Sequence, residues 1–421
     1  MDKNNLTQAL ESADKSEIFG IENQHILGES TDSLDTEEAR KMIAEYARIG
    51  NFDSARLLFL TTISVLNEWS NNSPEWLQEV SKLVLSFCEM EDSANNSESV
   101  QQAAFRLLDL CRIPVKEIDE SPIAYSIADT MEKIVEILTK NRQYLIATSL
   151  LNRILSMRIA ISKKSDTVSN MNKSAAIMEK MAISTHMQGH LNEAEKLFRT
   201  TLAVREAACE RDDAVVQKWY KAGTLELIGD LYAVMGSPKQ AYTYFGQCIN
   251  ILEEAKLQAV RPDRVLRHIT SIRNKLGDVA LNTNDYVQAR IFYDESFKNR
   301  KDALTNAIDK GHADTERPTR DLVFSLLRIS DLDFREGNID QAETKLNEAI
   351  AILDNAINEN GERIKLLESY YVPLDRLIRI QAQKGNASEH SRLIEKMSKL
   401  LRRLVALAPE NPTYRRWFEE F

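Results

Sequence analysis

Residues 225–245 read LELIGDLY, a turn at Gly236, and then Ala241 and Phe245 four residues apart. Residues 273–293 repeat the pattern: RNKLGDVA, a turn at Asn284-Asp285-Tyr286, and then Ala289 and Tyr293. Each copy has apolar residues at three- and four-residue steps on both sides of a turn, which is the spacing of a hairpin of two amphipathic helices. Gly229, Gly277, Ala241 and Ala289 are small enough to let two helices approach closely, and Phe245 or Tyr293 fills the space beside them.

The same places recur outward from these two copies. The first hairpin turns at Gly50-Asn51-Phe52 and continues to Ala55 and Phe59. The third starts at Ser121-Pro122, turns at residues 141–144 and continues to Ala147 and Leu151; the fourth turns at Gly189 and continues to Ala194 and Phe198. Ser237-Pro238 caps a helix start in the fifth. The seventh turns at Gly337 and reaches Ala342 and Leu346, and the eighth turns at Gly385-Asn386 with His390 in the small place. The second hairpin starts with Ser73 as cap and Pro74 in the first helical position, where its missing amide costs nothing. The polar run 91–97 reads as a turn longer than the others, with a return helix over about 99–112. From Ala147 the small place advances by 47, 47, 48, 53 and 48 residues, and Ala55 to Ala147 is 92, or two steps of 46.

The motif is similar to the tetratricopeptide repeat (TPR), whose hairpin carries W-x2-L-G-x2-Y followed by A-x3-F at a usual period of ~34 residues. The longer period here resembles that of kinesin light chains and of large bacterial TPR arrays. The resemblance implies an all-α fold, a right-handed superhelical solenoid of about eight long helix-turn-helix hairpins over 35–408. An acidic N-terminal tail (1–34) precedes it, and 409–421 forms a C-terminal cap or unfinished repeat. In the tail, residues 6–19 have the spacing of a short amphipathic helix or docking segment. Asp35 and Glu38 form a capping box, and Trp417 and Phe421 are expected to lie over the last hairpin. Pro373 interrupts an apolar helical pattern, so a kink or break is expected near Tyr370.

Composition bounds the function. The chain has 421 residues, a net charge of −10, nine prolines and thirteen glycines. That charge opposes a general nucleic-acid or anionic-membrane binder, since both need clustered Lys and Arg. No apolar run is read as a membrane span, and the first residues lack the apolar core of a secretory signal. Cys88, Cys111, Cys209 and Cys248 lie far apart and read as small buried hydrophobes of a reducing, cytoplasmic compartment. His186 and His190 have the spacing of two metal ligands, but Gly189 interrupts the helix between them and no third ligand is near. His268 and His390 stand singly in helical patterns. No phosphate loop or nucleophile elbow occurs. No catalytic, metal or cofactor site is therefore expected, and the chain is not read as an enzyme.

The recurring feature is acidic. Asp230, Asp278 and Asp331 hold one place in three successive hairpins, and Glu179 and Glu226 stand near the start of the same face, with Asn274 beside them. In the family the first helix of each hairpin lines a concave groove, so the resemblance implies a partner-binding face for these six residues. The partner would be another protein or a peptide with a basic segment. The alternative is that the acids pair with bases of adjoining helices, for which Arg205, Lys256 and Arg300 are candidates on the return helices. The basic residues between Lys396 and Arg416 read as a solvated helix face. These readings make the chain a protein-binding scaffold or adaptor. The rival is a regulatory subunit that restrains a protease-like or nuclease effector until a signal arrives.

Overall fold

The structure, a computed structural model, describes residues 36–68, 73–111, 123–311 and 315–421. The tail, its helix 6–19, the Asp35 cap and Ser121-Pro122 lie outside the described residues. Two compact units divide at Asp212 and Asp213. In the first, the helices are α1 (Thr36–Arg48), α2 (Phe52–Glu68), α3 (Pro74–Ser93), α4 (Ser97–Leu110), α5 (Ala124–Lys140), α6 (Tyr144–Lys164), α7 (Val168–Met187) and α8 (Leu191–Arg211). The second contains α9 (Val215–Val234), α10 (Pro238–Gln258), α11 (Pro262–Asn282), α12 (Tyr286–Asp309), α13 (Glu316–Arg335) and α14 (Ile339–Asn360). It ends with α15 (Ile364–Glu368), α16 (Tyr371–Lys384), α17 (Ala387–Leu407) and α18 (Pro412–Glu420). Among the described residues every regular element is a helix. Each unit is a tandem stack of hairpins in which a return helix packs on its own partner and on the first helix of the next hairpin.

One backbone device closes every hairpin. Gly50, Asn95, Arg142, Gly189, Gly236, Asn284, Gly337 and Gly385 each adopt a left-handed φ between 55° and 86°. The amide that follows donates to the carbonyl five residues back, as from Asn51 to Tyr46 (2.8 Å), Gln143 to Leu138 (2.8 Å) and Asp285 to Ala280 (2.9 Å). This closure satisfies carbonyls that a helix end would otherwise leave unpaired. Three of the eight left-handed residues carry a Cβ, two of them asparagine, the non-glycine residue that tolerates this conformation best.

The second hairpin differs from its sequence reading. Its turn, Ala94-Asn95-Asn96, is as short as the rest, and residues 91–93 belong to α3. The polar run was misleading because Glu91 is fully buried, held by Arg56 of α2 through Nε–H (2.6 Å) and Nη2–H (3.0 Å). Val100 takes the small place, buried, and restores the period as steps of 45 and 47 between Ala55 and Ala147. Ser73 caps α3 by accepting the Trp76 amide (3.2 Å). Ser237 makes no side-chain cap bond; Pro238 alone occupies the first turn of α10 as expected.

The packing places are buried as their spacing implies: Ala55, Ala147, Ala194, Ala241, Ala289 and Ala342, with Phe59, Leu151, Phe198, Phe245, Tyr293 and Leu346 four residues on. Gly229 is required by contact: a Cβ there would lie 2.5 Å from Cε1 of Phe245. In the eighth hairpin the register slips by one residue. His390 is half-buried and Ile394 largely exposed, while Leu393 and Met397 are buried. Cys88, Cys111 and Cys248 are buried and Cys209 partly so, all as free thiols. Burial pushes the Cys111 and Cys248 thiols up to about 12. Among the described residues one helix, α6, is long and apolar enough to cross a membrane, with a mean hydropathy of 1.3. Its Ile146, Leu150, Ile154, Met157 and Ile161 are buried in the core of the fold.

Pro373 breaks the first helix of the last hairpin where expected. α15 and α16 together span 364–384, the length of an ordinary first helix, but the ladder is interrupted at Ser369 and Tyr370. Ser369 is the residue whose carbonyl a proline at 373 would crowd and leave without an amide donor. Replacing Pro373 by Ala is expected to join the two pieces and slow hydrogen exchange over 370–377; equal exchange in both proteins would assign the break to packing. The terminal α18 is anchored by buried Tyr414, and Trp417 stacks on Tyr371 (centroids 4.0 Å apart, planes at 9°). Phe421, one residue beyond the end of α18, is about half exposed.

Candidate functional site

The recurring acids lie on first helices, six residues before the left-handed turn residue: Asp230 on α9, Asp278 on α11 and Asp331 on α13. Each is ion-paired to a base nine residues before the next turn, on the first helix of the next hairpin. Asp230 accepts from Lys275 (2.6 Å), Asp278 from Arg328 through both oxygens (3.1 and 3.2 Å), and Asp331 pairs with Arg376 (2.8 Å). The same rule holds once in the first unit, where Glu136 accepts from Lys180 (3.2 Å). Alternating charges thus run from one first helix to the next. The acids remain partly open, with 38%, 41% and 42% of the side chains of Asp230, Asp278 and Asp331 accessible.

Four residues earlier, Glu179 and Glu226 sit deeper. Glu179 accepts from Arg205 of its own return helix (3.3 Å). Glu226 accepts from His268 Nε2–H (2.6 Å) and pairs with Lys275 (2.7 Å). Burial raises the Glu226 carboxyl, but the His268 hydrogen bond and the Lys275 charge outweigh it and hold it below the usual range. Lys275, desolvated but flanked by Asp230 and Glu226, is held above the ordinary lysine range. At Asp331 desolvation prevails over Arg376, and the carboxyl stands above its ordinary range. Asn274 occupies the equivalent place on α11 but is 3% exposed, and its Oδ1 is buried without a partner. It does not present itself on the face with the acids.

Of the bases expected to pair with the column, Lys256 bonds Glu253 of its own helix, and Arg300 reaches α13, not Asp278. The true partners, Lys275, Arg328 and Arg376, were missed although their signal is in the sequence: a base three residues before each acid's place, one hairpin later. Tyr293 also donates to Asp278 (2.6 Å), so a residue of the packing motif helps hold the column. Beside Asp331 lies a hollow of about 190 Å³ bordered by Phe334, Arg379 and Ile380.

The other candidates are quieter. His186 closes α7 and His190 precedes α8; among the described residues no group of three or more His, Cys, Asp or Glu could hold a metal. In the basic tail, Lys396 pairs with Asp354 (3.4 Å), Lys399 with Glu395 (2.7 Å) and Arg403 with Glu362 (2.8 Å). These partners fit the solvated-face reading.

Residues 174–214, the whole of the fourth hairpin's return helix and most of its first, match the tetratricopeptide repeat family. Protein NCA1 of Arabidopsis thaliana is 26% identical over 132 residues, 31% of this chain, and the match spans about 30% of that relative's length. Among solved structures, BtubC (BKLC) from P. vanneervenii is similar with a TM-score of 0.42 and 15% identity, over 66% of this chain and 93% of that one. A putative kinesin light chain of Podosopora anserina with nearly identical TPR-like repeats gives 0.34 and 18%, over 53% and 96%. NprR, solved in complex with its cognate peptide NprX, gives 0.37 and 11%, over 91% and 96%. The matched segment is one hairpin of a series that repeats its turn and packing places within each unit, so the fold is built of tetratricopeptide-repeat-like hairpins.

Proposed function

We propose that the chain is a non-catalytic scaffold that binds another protein or a peptide on the first-helix face of its second unit. The preferred segment is extended and carries Lys or Arg at regular intervals. The observation that carries this reading is the half-open state of Asp230, Asp278 and Asp331. Each is paired to a base of the next hairpin, yet about two-fifths of its side chain stays accessible to a second cation. Stacked helices lie ~8–10 Å apart, and an extended chain advances ~3.3 Å per residue, so a base at every third position meets successive acids. Exposed pairs contribute ~0.2–1 kcal/mol each, which makes the column a filter for basic segments; the hollow beside Phe334 and Ile380 would add apolar contact. The cytoplasm is the proposed location, in keeping with four free cysteines.

The test is the triple variant Asp230→Asn, Asp278→Asn, Asp331→Asn, measured against a peptide with Lys at every third position at two salt concentrations. The expected result is several-fold weaker binding with a shallower salt dependence, since the exposed charges are screened beyond ~8 Å at physiological salt. Loss of the three internal pairs should lower stability by no more than ~0.2–1 kcal/mol each. Undiminished binding in a destabilised protein would make the acids struts and end this reading.

A further inference from the structure

Two buried arginines of the return helices, Arg158 and Arg205, follow a rule that the half-buried Arg300 breaks. Arg158 donates to Glu132 (2.9 Å) and Arg205 to Glu179 (3.3 Å), each base standing 26 residues after its acid within one hairpin. Arg300 stands 26 residues after position 274, where asparagine replaces the acid. Its Nη1 instead donates to the Asp321 carbonyl (2.8 Å) and to Ser325 Oγ (3.1 Å) of α13, and among the described residues no carboxylate makes an ion pair with it. Its Nε is buried and makes no hydrogen bond, as in Arg158. Desolvation depresses the Arg300 guanidinium below its usual range, opposed only in part by the charge of Asp321. A desolvated cation without its anion is a costly arrangement.

Arg300 borders a cavity of about 580 Å³ between the start of α11, the end of α12 and the start of α13. Arg261, Arg267 and Lys310 share its wall. Two of its three carboxylates are engaged: Asp263 with Arg261 (3.1 Å) and Asp321 with Arg267 (3.6 Å). Among the described residues, Asp302 is the remaining carboxylate of the wall that Arg300 and Lys310 share. The size lies within the ~300–1,000 Å³ of small-molecule sites, and a planar guanidinium fork matches two oxygens of one carboxylate or phosphate.

We propose that this cavity binds a small molecule through a carboxylate or phosphate group seated on Arg300, with Lys310 at the rim as second cation. The ligand's oxyanion supplies the negative charge that Glu132 and Glu179 supply to Arg158 and Arg205. The site uses none of the first-helix acids, so it stands or falls apart from the peptide-binding reading.

The experiment is calorimetric titration of the full chain, at low salt, with inorganic phosphate and separately with malonate, using wild type, Arg300→Gln and Asn274→Glu. Asn274→Glu restores the missing partner at the 26-residue offset, so it should occupy Arg300 internally and raise the melting temperature. Wild type is expected to bind at least one anion saturably, and both variants to bind it at least tenfold more weakly; the tighter of the two anions identifies the group. Should Arg300→Gln fail to fold, Asn274→Glu decides alone. Absence of saturable binding to either anion in wild type, or wild-type affinity in Asn274→Glu, overturns the proposal.

Discussion

Phe245→Ala is expected to destabilise the second unit by about 3–5 kcal/mol, the cost of emptying a fully buried aromatic site. Phe245 has no exposed surface and its ring lies against the backbone of Gly229, where no side chain can move in to fill the space. Hydrogen exchange in α9 and α10 should accelerate by about two to four orders of magnitude, at ~1.4 kcal/mol per factor of ten in the opening equilibrium. A double-mutant cycle separates this from a general loss of core. Alone, Gly229→Ala should destabilise, because its Cβ would meet the Phe245 ring 2.5 Å away. In the Phe245→Ala background the same Cβ has room, and removing a helix-interior glycine should stabilise by up to ~1 kcal/mol. A sign reversal of Gly229→Ala between the two backgrounds is the expected result. The same sign in both would mean that the glycine is not there for the ring.

In the first unit a large loss of a different origin is expected from Arg56→Ala, at about 3 kcal/mol. It leaves the Glu91 carboxylate, fully buried on α3, without the guanidinium that bonds both its oxygens from α2. The figure is at the low end for a broken buried pair because Arg56 itself is one-third exposed and water can follow its removal. Replacing both partners at once, Arg56→Met with Glu91→Leu, should recover most of the loss, since two apolar groups of similar volume leave no charge stranded. Thermal melting of the two variants checks the pair. Equal destabilisation would mean that shape, not charge, holds α2 on α3.

The hairpin order was legible because its causes are local. Helical spacing of apolar residues, a left-handed residue at the turn, and a small residue followed four later by a large one all act within about twenty residues. That is why the turns at Gly189, Gly236 and Asn284 and the burial of Ala241 with Phe245 could be read without a fold. Even Arg142, an unusual left-handed residue, fell inside a turn marked by its neighbours. Pro373 was equally readable, since a missing amide breaks a helix ladder whatever surrounds it.

Other features depended on which side chain of one hairpin meets which of the next. Glu91 looked like loop because only Arg56, thirty-five residues away, makes its burial tolerable. Asp230, Asp278 and Asp331 were visible as a column, but their partners come from the following first helix, and the spacing inside one hairpin does not specify that contact. Asn274 resembled its acidic neighbours in the column until packing buried it, and Arg300 was an ordinary helical base until the fold set it in a cavity without a carboxylate. The chain's periodicity thus determined the repeats, their turns and their small-and-large packing. The tertiary structure decided where charges pair, which are buried and which stay open. Helical periodicity is enforced by bonds a few residues apart, whereas ion pairing and burial depend on distances that exist only once the hairpins are stacked.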